Sequence, residues 1–161
     1  MSKTKIVGMM ALITFAMGIL LVGNAVAGER GKIAAREVFY SPTVHTLKVP
    51  DMEDHIIMMY EGKGISFPEK WGACLVNTIG IVDLVKGEGT CQGYNQYSFP
   101  DGSTMSGKWE GRVGVAGAEG TWTFIKGTGK FKGIQGEGTW KGYMMSPERS
   151  YSDWEGKYTL P

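Results

Sequence analysis

The sequence predicts an all-β domain, either an antiparallel sandwich or a closed barrel. Three observations lead to this prediction. Tryptophan, tyrosine, valine, isoleucine and threonine recur in eight short runs, and these residue types favour strands. The chain contains 25 glycines, which interrupt those runs as turn formers do. The chain after residue 27 shows almost none of the apolar spacing that is typical of helices.

The first 27 residues have the three parts of a secretory signal peptide. Lys3 and Lys5 supply positive charge, residues 6–22 are apolar, and Ala25-Val26-Ala27 has the small-x-small form of a cleavage site. An uncleaved membrane anchor is the alternative, because the apolar run is close to the shortest length that spans a bilayer. We expect an exported protein, periplasmic or secreted, that is cleaved after Ala27 and then has no stable membrane anchor.

Residues 28–42 are expected to form an extended N-terminal arm, because Ala34-Ala35-Arg36 is too short for a helix. Residues 43–161 are expected to form the single folded domain. The chain that remains after cleavage, about 130 residues, is long enough to bury its own core.

Eight strands are predicted, in the order Val44–Val49, His55–Ile65, Ala73–Val85, Glu88–Phe99, Ser103–Val115, Glu119–Lys126, Gln135–Met144 and Tyr151–Leu160. Turn-forming residues separate them, and Pro100-Asp101-Gly102 is the clearest hairpin signal. Between Met105 and Val113, apolar residues or glycine alternate with polar ones, which predicts one wet face. The third strand is apolar on both faces, which predicts that a neighbouring subunit, the arm or a helix covers its outer side.

Two cysteines, Cys74 and Cys91, follow the predicted cleavage site. In an oxidising compartment two cysteines more often form a disulfide than a metal site, so we expect a bridge between them. One observation opposes it. If Lys86-Gly87-Glu88 is a hairpin turn, Cys91 lies opposite about residue 83, and Cα atoms beyond ~7 Å cannot be linked. The bridge therefore requires Cys74 to lie in a loop or the strands to pair in another register.

Two acidic residues lie in apolar surroundings and are candidate catalytic groups. Glu61 follows an apolar run, and Asp83 lies inside another. A carboxyl group that is desolvated inside a barrel has a raised pKa and can act as a general acid. The alternative is that each side chain points outward into water, and the sequence favours this alternative.

Five aromatic residues, Tyr60, Tyr94, Trp109, Trp122 and Trp140, are candidates to line a ligand pocket. Packing is the competing interpretation, since aromatic side chains dominate small cores. The segment Glu-Gly-Thr-Trp occurs at Glu119–Trp122 and again at Glu137–Trp140. We interpret the repeat as one packing solution used twice, in which glycine permits coiling and tryptophan fills the space.

The sequence predicts no metal site, no cofactor, and neither nucleic acid nor an anionic membrane as a partner. His45 and His55 flank a loop with acidic residues, but such a loop is more often solvated than a metal site. The formal net charge is +1, which gives no electrostatic reason to expect nucleic acid or an anionic membrane as a partner.

The glycine-rich corner at Gly127–Gly133 continues through Ile134 to Gly136, Gly138 and Thr139. With Gly120–Phe124 before it, this pattern resembles the allene oxide cyclase barrel-like and dirigent-like proteins. Gly89-Thr90-Cys91 and Asp101-Gly102 resemble the exported bacterial branch. The resemblance covers about residues 70 to 145 and implies that residues 43–161 form an eight-stranded antiparallel β-barrel of the calycin type. Those barrels often form dimers or trimers, so the resemblance also implies a homo-oligomer. A lipocalin-like or avidin-like barrel is the alternative fold.

The resemblance implies a cavity that binds a small hydrophobic or aromatic molecule, and this is the leading functional prediction. It identifies no catalytic residue, because the glutamate and proline of the plant cyclases have no matching motif here. An isomerase or cyclase that uses Glu61 or Asp83 as the acid is the first alternative. A filled barrel that acts through its outer surface as a structural or interaction protein is the second.

Overall fold

A computed structural model describes residues 28–161, and the predicted signal peptide lies outside them. The strands are β1 Glu29–Lys48, β2 His55–Pro68, β3 Cys74–Val85, β4 Glu88–Ser98, β5 Thr104–Gly114, β6 Gly117–Gly127, β7 Gln135–Ser146 and β8 Arg149–Leu160. Each strand pairs antiparallel with the next, and β1 pairs with β8 to close the barrel. The prediction of an eight-stranded antiparallel barrel is confirmed. Within residues 28–161, no helix is long and apolar enough to cross a membrane.

The inner and outer faces of the wall follow the two-residue period of a strand. In β3 the side chains of Val76, Val82 and Leu84 are buried inside the barrel, and those of Leu75 and Ile81 are exposed. The inward face of β3 is therefore mostly apolar, and the parity of each residue along its strand decides which side chains face inward.

The first strand is much longer than the sequence predicted. β1 spans 20 residues and pairs with β8 from Glu29 to Tyr40 and with β2 from Ala35 to Lys48. The residues that were expected to form an arm therefore lie in the barrel wall. A register shift between Tyr40 and Thr43 marks the place where β1 leaves β8 and continues along β2.

One end of the barrel is closed by the glycine-rich corner. A 3₁₀ turn at Gly129–Phe131 places the fully buried Phe131 ring in the barrel end. That ring lies 4.6 Å from the ring of Phe99 and 5.0 Å from that of Trp71, measured between centroids. Gly129 and Gly133 have φ values of 58° and 79°, a left-handed conformation that favours glycine. The corner thus serves to fold the chain into a closing layer.

Cys74 and Cys91 are free thiols, so the predicted disulfide is wrong. Cys91 lies opposite Val82 in the β3–β4 register, and Cys74 lies eight residues from Val82 along β3. At ~3.3 Å per residue this separates the two cysteines by roughly 26 Å along the wall. The β3–β4 hairpin, which we expected to hold the two cysteines apart, does form, with Lys86 and Gly87 as a two-residue turn.

Large apolar side chains are exposed on the outside of three neighbouring strands. We call this surface the outer apolar face. Its residues are Met59, Ile65 and Phe67 of β2, Leu75, Ile79 and Ile81 of β3, and Tyr94 of β4.

Candidate functional site

The barrel contains a cavity of about 580 Å³. It lies between the end that the glycine-rich corner closes and the opposite end of the barrel. Its lining is mostly apolar, and it reaches the ends of the β5–β6 and β7–β8 hairpins. Val115, at the tip of the first hairpin, borders the cavity and is 96% exposed, so the cavity opens to solvent there. The volume lies within the range of known small-molecule sites.

Four tryptophans from consecutive strands form one side of the cavity. They are Trp109 of β5, Trp122 of β6, Trp140 of β7 and Trp154 of β8. The rings of Trp109 and Trp140 meet edge to face with centroids 5.6 Å apart, and those of Trp122 and Trp154 do so at 5.1 Å. Edge-to-face contacts of this kind are favourable and fix the ring planes.

Glycines on adjacent strands make room for these rings. A Cβ added at Gly138 would lie 2.7 Å from the Trp122 ring, and one added at Gly156 would lie 2.5 Å from it. The indole N–H of Trp122 donates to the Thr139 carbonyl at 3.2 Å, and that of Trp140 donates to the Thr121 carbonyl at the same distance. The repeated Gly-Thr-Trp segments therefore share one arrangement, in which an indole lies across the neighbouring backbone.

The cavity also holds a buried carboxyl group that sequence reasoning missed. Glu37 of β1 is only 1% exposed and borders the cavity. Its Oε1 atom accepts hydrogen bonds from the Trp154 indole at 2.7 Å and the Ser66 hydroxyl at 3.0 Å. Its Oε2 atom accepts a longer one from Ser152 at 3.4 Å. Within residues 28–161, no salt bridge involves Glu37.

Burial raises the pKa of Glu37, because desolvation disfavours the charged form. Hydrogen bonds from Trp154, Tyr97, Ser66 and Ser152 favour the carboxylate and partly offset this effect. Burial therefore favours the neutral form of Glu37, whereas the hydrogen-bond donors around it favour the charged form. Such a group can donate a proton or pair with a cation.

Polar side chains lead from Glu37 along one wall of the cavity. The Trp109 indole donates to Asn95 Oδ1 at 3.1 Å, and Asn95 Nδ2 donates to the Tyr97 hydroxyl at 3.0 Å. Tyr97 in turn faces the Glu37 carboxyl. All four of these residues border the cavity, so its polar groups form one connected track within an otherwise apolar lining.

Four of the five predicted aromatic residues lie at the cavity: Tyr60, Trp109, Trp122 and Trp140. Tyr94 does not, and its side chain is 56% exposed on the outer apolar face. The reason is parity, because the inward residues of β4 include Gly93 and Asn95 on either side of it.

The two predicted catalytic carboxylates both point away from the cavity. Glu61 is exposed on the outside of β2. Asp83 is exposed on β3, and its Oδ1 atom lies 2.8 Å from His55 Nε2. Both side chains therefore have the outward orientation that the sequence favoured, and neither borders the cavity. Glu37 is the carboxyl group in the position they were expected to occupy.

His55 belongs to a surface cluster with two carboxylates. Its Nδ1 atom lies 2.6 Å from Asp51 Oδ1, in addition to the Asp83 contact. Hydrogen bonds to Asp51 and Asp83 raise the pKa of His55. Within residues 28–161, no three His, Cys, Asp or Glu side chains are arranged to hold a metal ion.

No protein-family model matches the chain, and no curated protein matches it. A solved structure, that of a pterocarpan synthase dirigent protein, is similar to it with a TM-score of 0.53 and 14% sequence identity. The match covers 93% of this chain and 99% of the other. At this identity the likeness shows the fold alone, a dirigent-like barrel.

Proposed function

We propose that this protein is an exported barrel that binds one small hydrophobic or aromatic molecule in its cavity. The observation that carries the proposal is an unfilled interior of about 580 Å³ in a closed barrel. Eight-stranded barrels have interiors that are either filled by side chains or hold one small ligand. An open, mostly apolar cavity supports binding over the filled barrel that was the second alternative.

Two neighbouring residues of β3 provide a matched test. Val82 borders the cavity, and Ile81 lies on the outer apolar face. Val82→Phe narrows the cavity, and Ile81→Phe adds similar bulk outside. Tryptophan fluorescence reports binding of a panel of apolar and aromatic compounds, because four tryptophans border the cavity. We expect wild type and Ile81→Phe to bind the same compounds and Val82→Phe to lose them; if no compound binds wild type, or all three proteins bind alike, the proposal is wrong.

An isomerase or cyclase is the second candidate, and Glu37 is the observation that favours it. A buried carboxyl with a raised pKa, set among apolar side chains, is suited to protonate a bound substrate. The enzyme would hold a reactive substrate in one conformation while Glu37 supplies the acid. In this proposal Glu37→Gln loses turnover of such a substrate but keeps binding, whereas unchanged turnover would exclude Glu37 as the acid.

Export and assembly complete the proposal. Residues 1–27 supply the export signal, and the mature protein begins at Gly28. The outer apolar face is large and unpaired within the described chain, which supports a contact with further copies of the protein. Membership of the allene oxide cyclase group or of its exported bacterial branch stays a prediction.

A further inference from the structure

We propose that the natural ligand carries a positive charge, as an aromatic or apolar amine or quaternary ammonium, and that its cation pairs with Glu37 on the floor of the tryptophan-lined cavity. This inference deepens the binding function proposed above and rests on it. Three features of the cavity carry it: the sign of its charges, its aromatic surface, and the state of Glu37.

The charged residues that border the cavity are acidic. They are Glu37 at the floor and Glu148 near the mouth, and no described lysine, arginine or histidine borders it. Arg36, the neighbour of Glu37 in sequence, points outward and forms a two-pronged ion pair with Asp153 at 2.6 and 2.7 Å. The cavity therefore repels an anionic ligand and attracts a cation.

Tryptophan faces are the best aromatic partners for cations, because the ring face carries negative charge density. Trp109, Trp122, Trp140 and Trp154 all border the cavity. Tyr60 and Tyr97 border it as well, from the strands on the other side. Aromatic walls around a desolvated space are the arrangement that recognises ammonium groups.

Glu37 accepts hydrogen bonds, as a carboxylate does, but no cationic side chain of residues 28–161 forms a salt bridge with it. The four groups that contact it, Trp154, Ser66, Ser152 and Tyr97, donate hydrogen bonds that favour its charged form. A buried carboxylate without a paired charge is costly. The Oε2 atom has the weaker contact, 3.4 Å to Ser152, so it is the atom with capacity for a further partner. A ligand cation would complete the site.

The binding step is then linked to the protonation of Glu37. Burial favours the neutral form of this carboxyl group in the empty cavity. A permanently charged ligand favours the ionised form, so wherever Glu37 holds its proton, binding gives that proton to the buffer. The titratable groups that face Glu37 are Tyr97 from β4 and Cys74 from β3. Burial raises the pKa of both, to about 12 for Cys74, so both keep their protons near neutral pH. Glu37 is therefore the group that titrates.

Phenyltrimethylammonium and tert-butylbenzene test the inference, since they have the same shape and differ in charge. Titration calorimetry and tryptophan fluorescence give both affinities for the wild-type protein between about pH 5 and pH 9. We expect wild type to prefer the cation by about tenfold or more at the alkaline end. We also expect the binding enthalpy to vary with the buffer at those pH values where the free protein holds the Glu37 proton, because binding then releases it.

Glu37→Gln should abolish the preference for the cation and leave the affinity for tert-butylbenzene within about threefold. Glu61→Gln, which removes an exposed carboxylate on the outside of β2, is the matched control and should keep the preference. Equal binding of the two probes by wild type, or an unchanged preference in Glu37→Gln, overturns the inference while the cavity still binds apolar compounds. Failure of every compound to bind overturns the proposed function itself.

Discussion

The buried Glu37 carboxyl makes a specific prediction about stability and pH. Because burial raises its pKa in the folded state, the native protein holds this proton at pH values where the unfolded chain has lost it. The native state then binds more protons than the unfolded state, so the free energy of unfolding falls as pH rises. The fall begins near the unfolded pKa of about 4.5 and ends at the folded pKa.

Over that window the slope is at most about 1.4 kcal/mol per pH unit, the limit for one proton. Glu37→Gln removes the titration and keeps the shape of the side chain, including an oxygen that can accept from Trp154 and Ser66. The difference in unfolding free energy, wild type minus Glu37→Gln, should therefore decline with this slope and level off once the folded carboxyl has ionised. Glu61→Gln, which removes an exposed carboxylate from the outside of the barrel, is the control.

Urea unfolding of the three proteins at a series of pH values measures these differences. The pH at which the decline stops gives the pKa of Glu37 in the folded protein. A difference that stays flat, or that grows as pH rises, would refute the reasoning, because it would mean that the folded protein holds the carboxyl in its ordinary or its ionised state.

Three further predictions concern the wall, the surface cluster and assembly. Gly138→Ala should cost about 3 kcal/mol of unfolding free energy in urea titrations, because an added Cβ would meet both the Glu155 carbonyl oxygen and the Trp122 ring. Gly114→Ala, which meets nothing within 4 Å, should change it by less than about 1 kcal/mol; equal effects would contradict the close packing around Gly138. The pKa of His55 is raised, so its contribution to stability should be present below about pH 6.5 and disappear as pH rises through the pKa of the folded protein. His55→Gln should remove this pH dependence in urea titrations, and a variant with the same pH profile as wild type would contradict the role of His55. Ile79→Lys, on the outer apolar face, should reduce the molecular mass measured by light scattering to that of one chain. A monomeric wild type would exclude the proposed contact between copies of the protein through this face.

The strands from β2 to β8 could be predicted because their residues follow the two-residue period and are separated by turn formers. Pro100-Asp101-Gly102 and Lys86-Gly87 each specify a tight connection through local backbone preferences alone. Two apolar faces of β3 were also predicted, and exposed Leu75 and Ile81 do alternate with buried Val76 and Val82. That a further copy covers the outer face stays a prediction. Local chemistry was sufficient for these parts of the barrel.

The first part of β1, before Val44, and the buried acid were missed for the same reason. In β1 the inward positions are Ile33, Ala35, Glu37 and Phe39, and a glutamate in that series breaks the apolar alternation that identifies a strand. Only the closed barrel brings Ser66 and Trp154 to that glutamate, from residues 29 and 117 positions away in the chain. One signal was available, because Glu37 falls in phase with buried residues on both sides.

Parity also explains the errors at the site. Tyr94 and Asp83 each lie one residue from cavity-facing neighbours, and a shift of one residue moves a side chain to the opposite face. Composition identified the right residue types, but the face on which each lies depends on the register of the whole sheet.

The most direct test of a ligand in the cavity is native mass spectrometry of the protein purified from the cells that make it. We expect one small molecule to be retained per chain, with the mass of an apolar or aromatic compound that carries an amine or a quaternary ammonium group. The same spectrum should show two free thiols. A protein that carries no molecule, and still carries none after incubation with the apolar panel, would contradict the account.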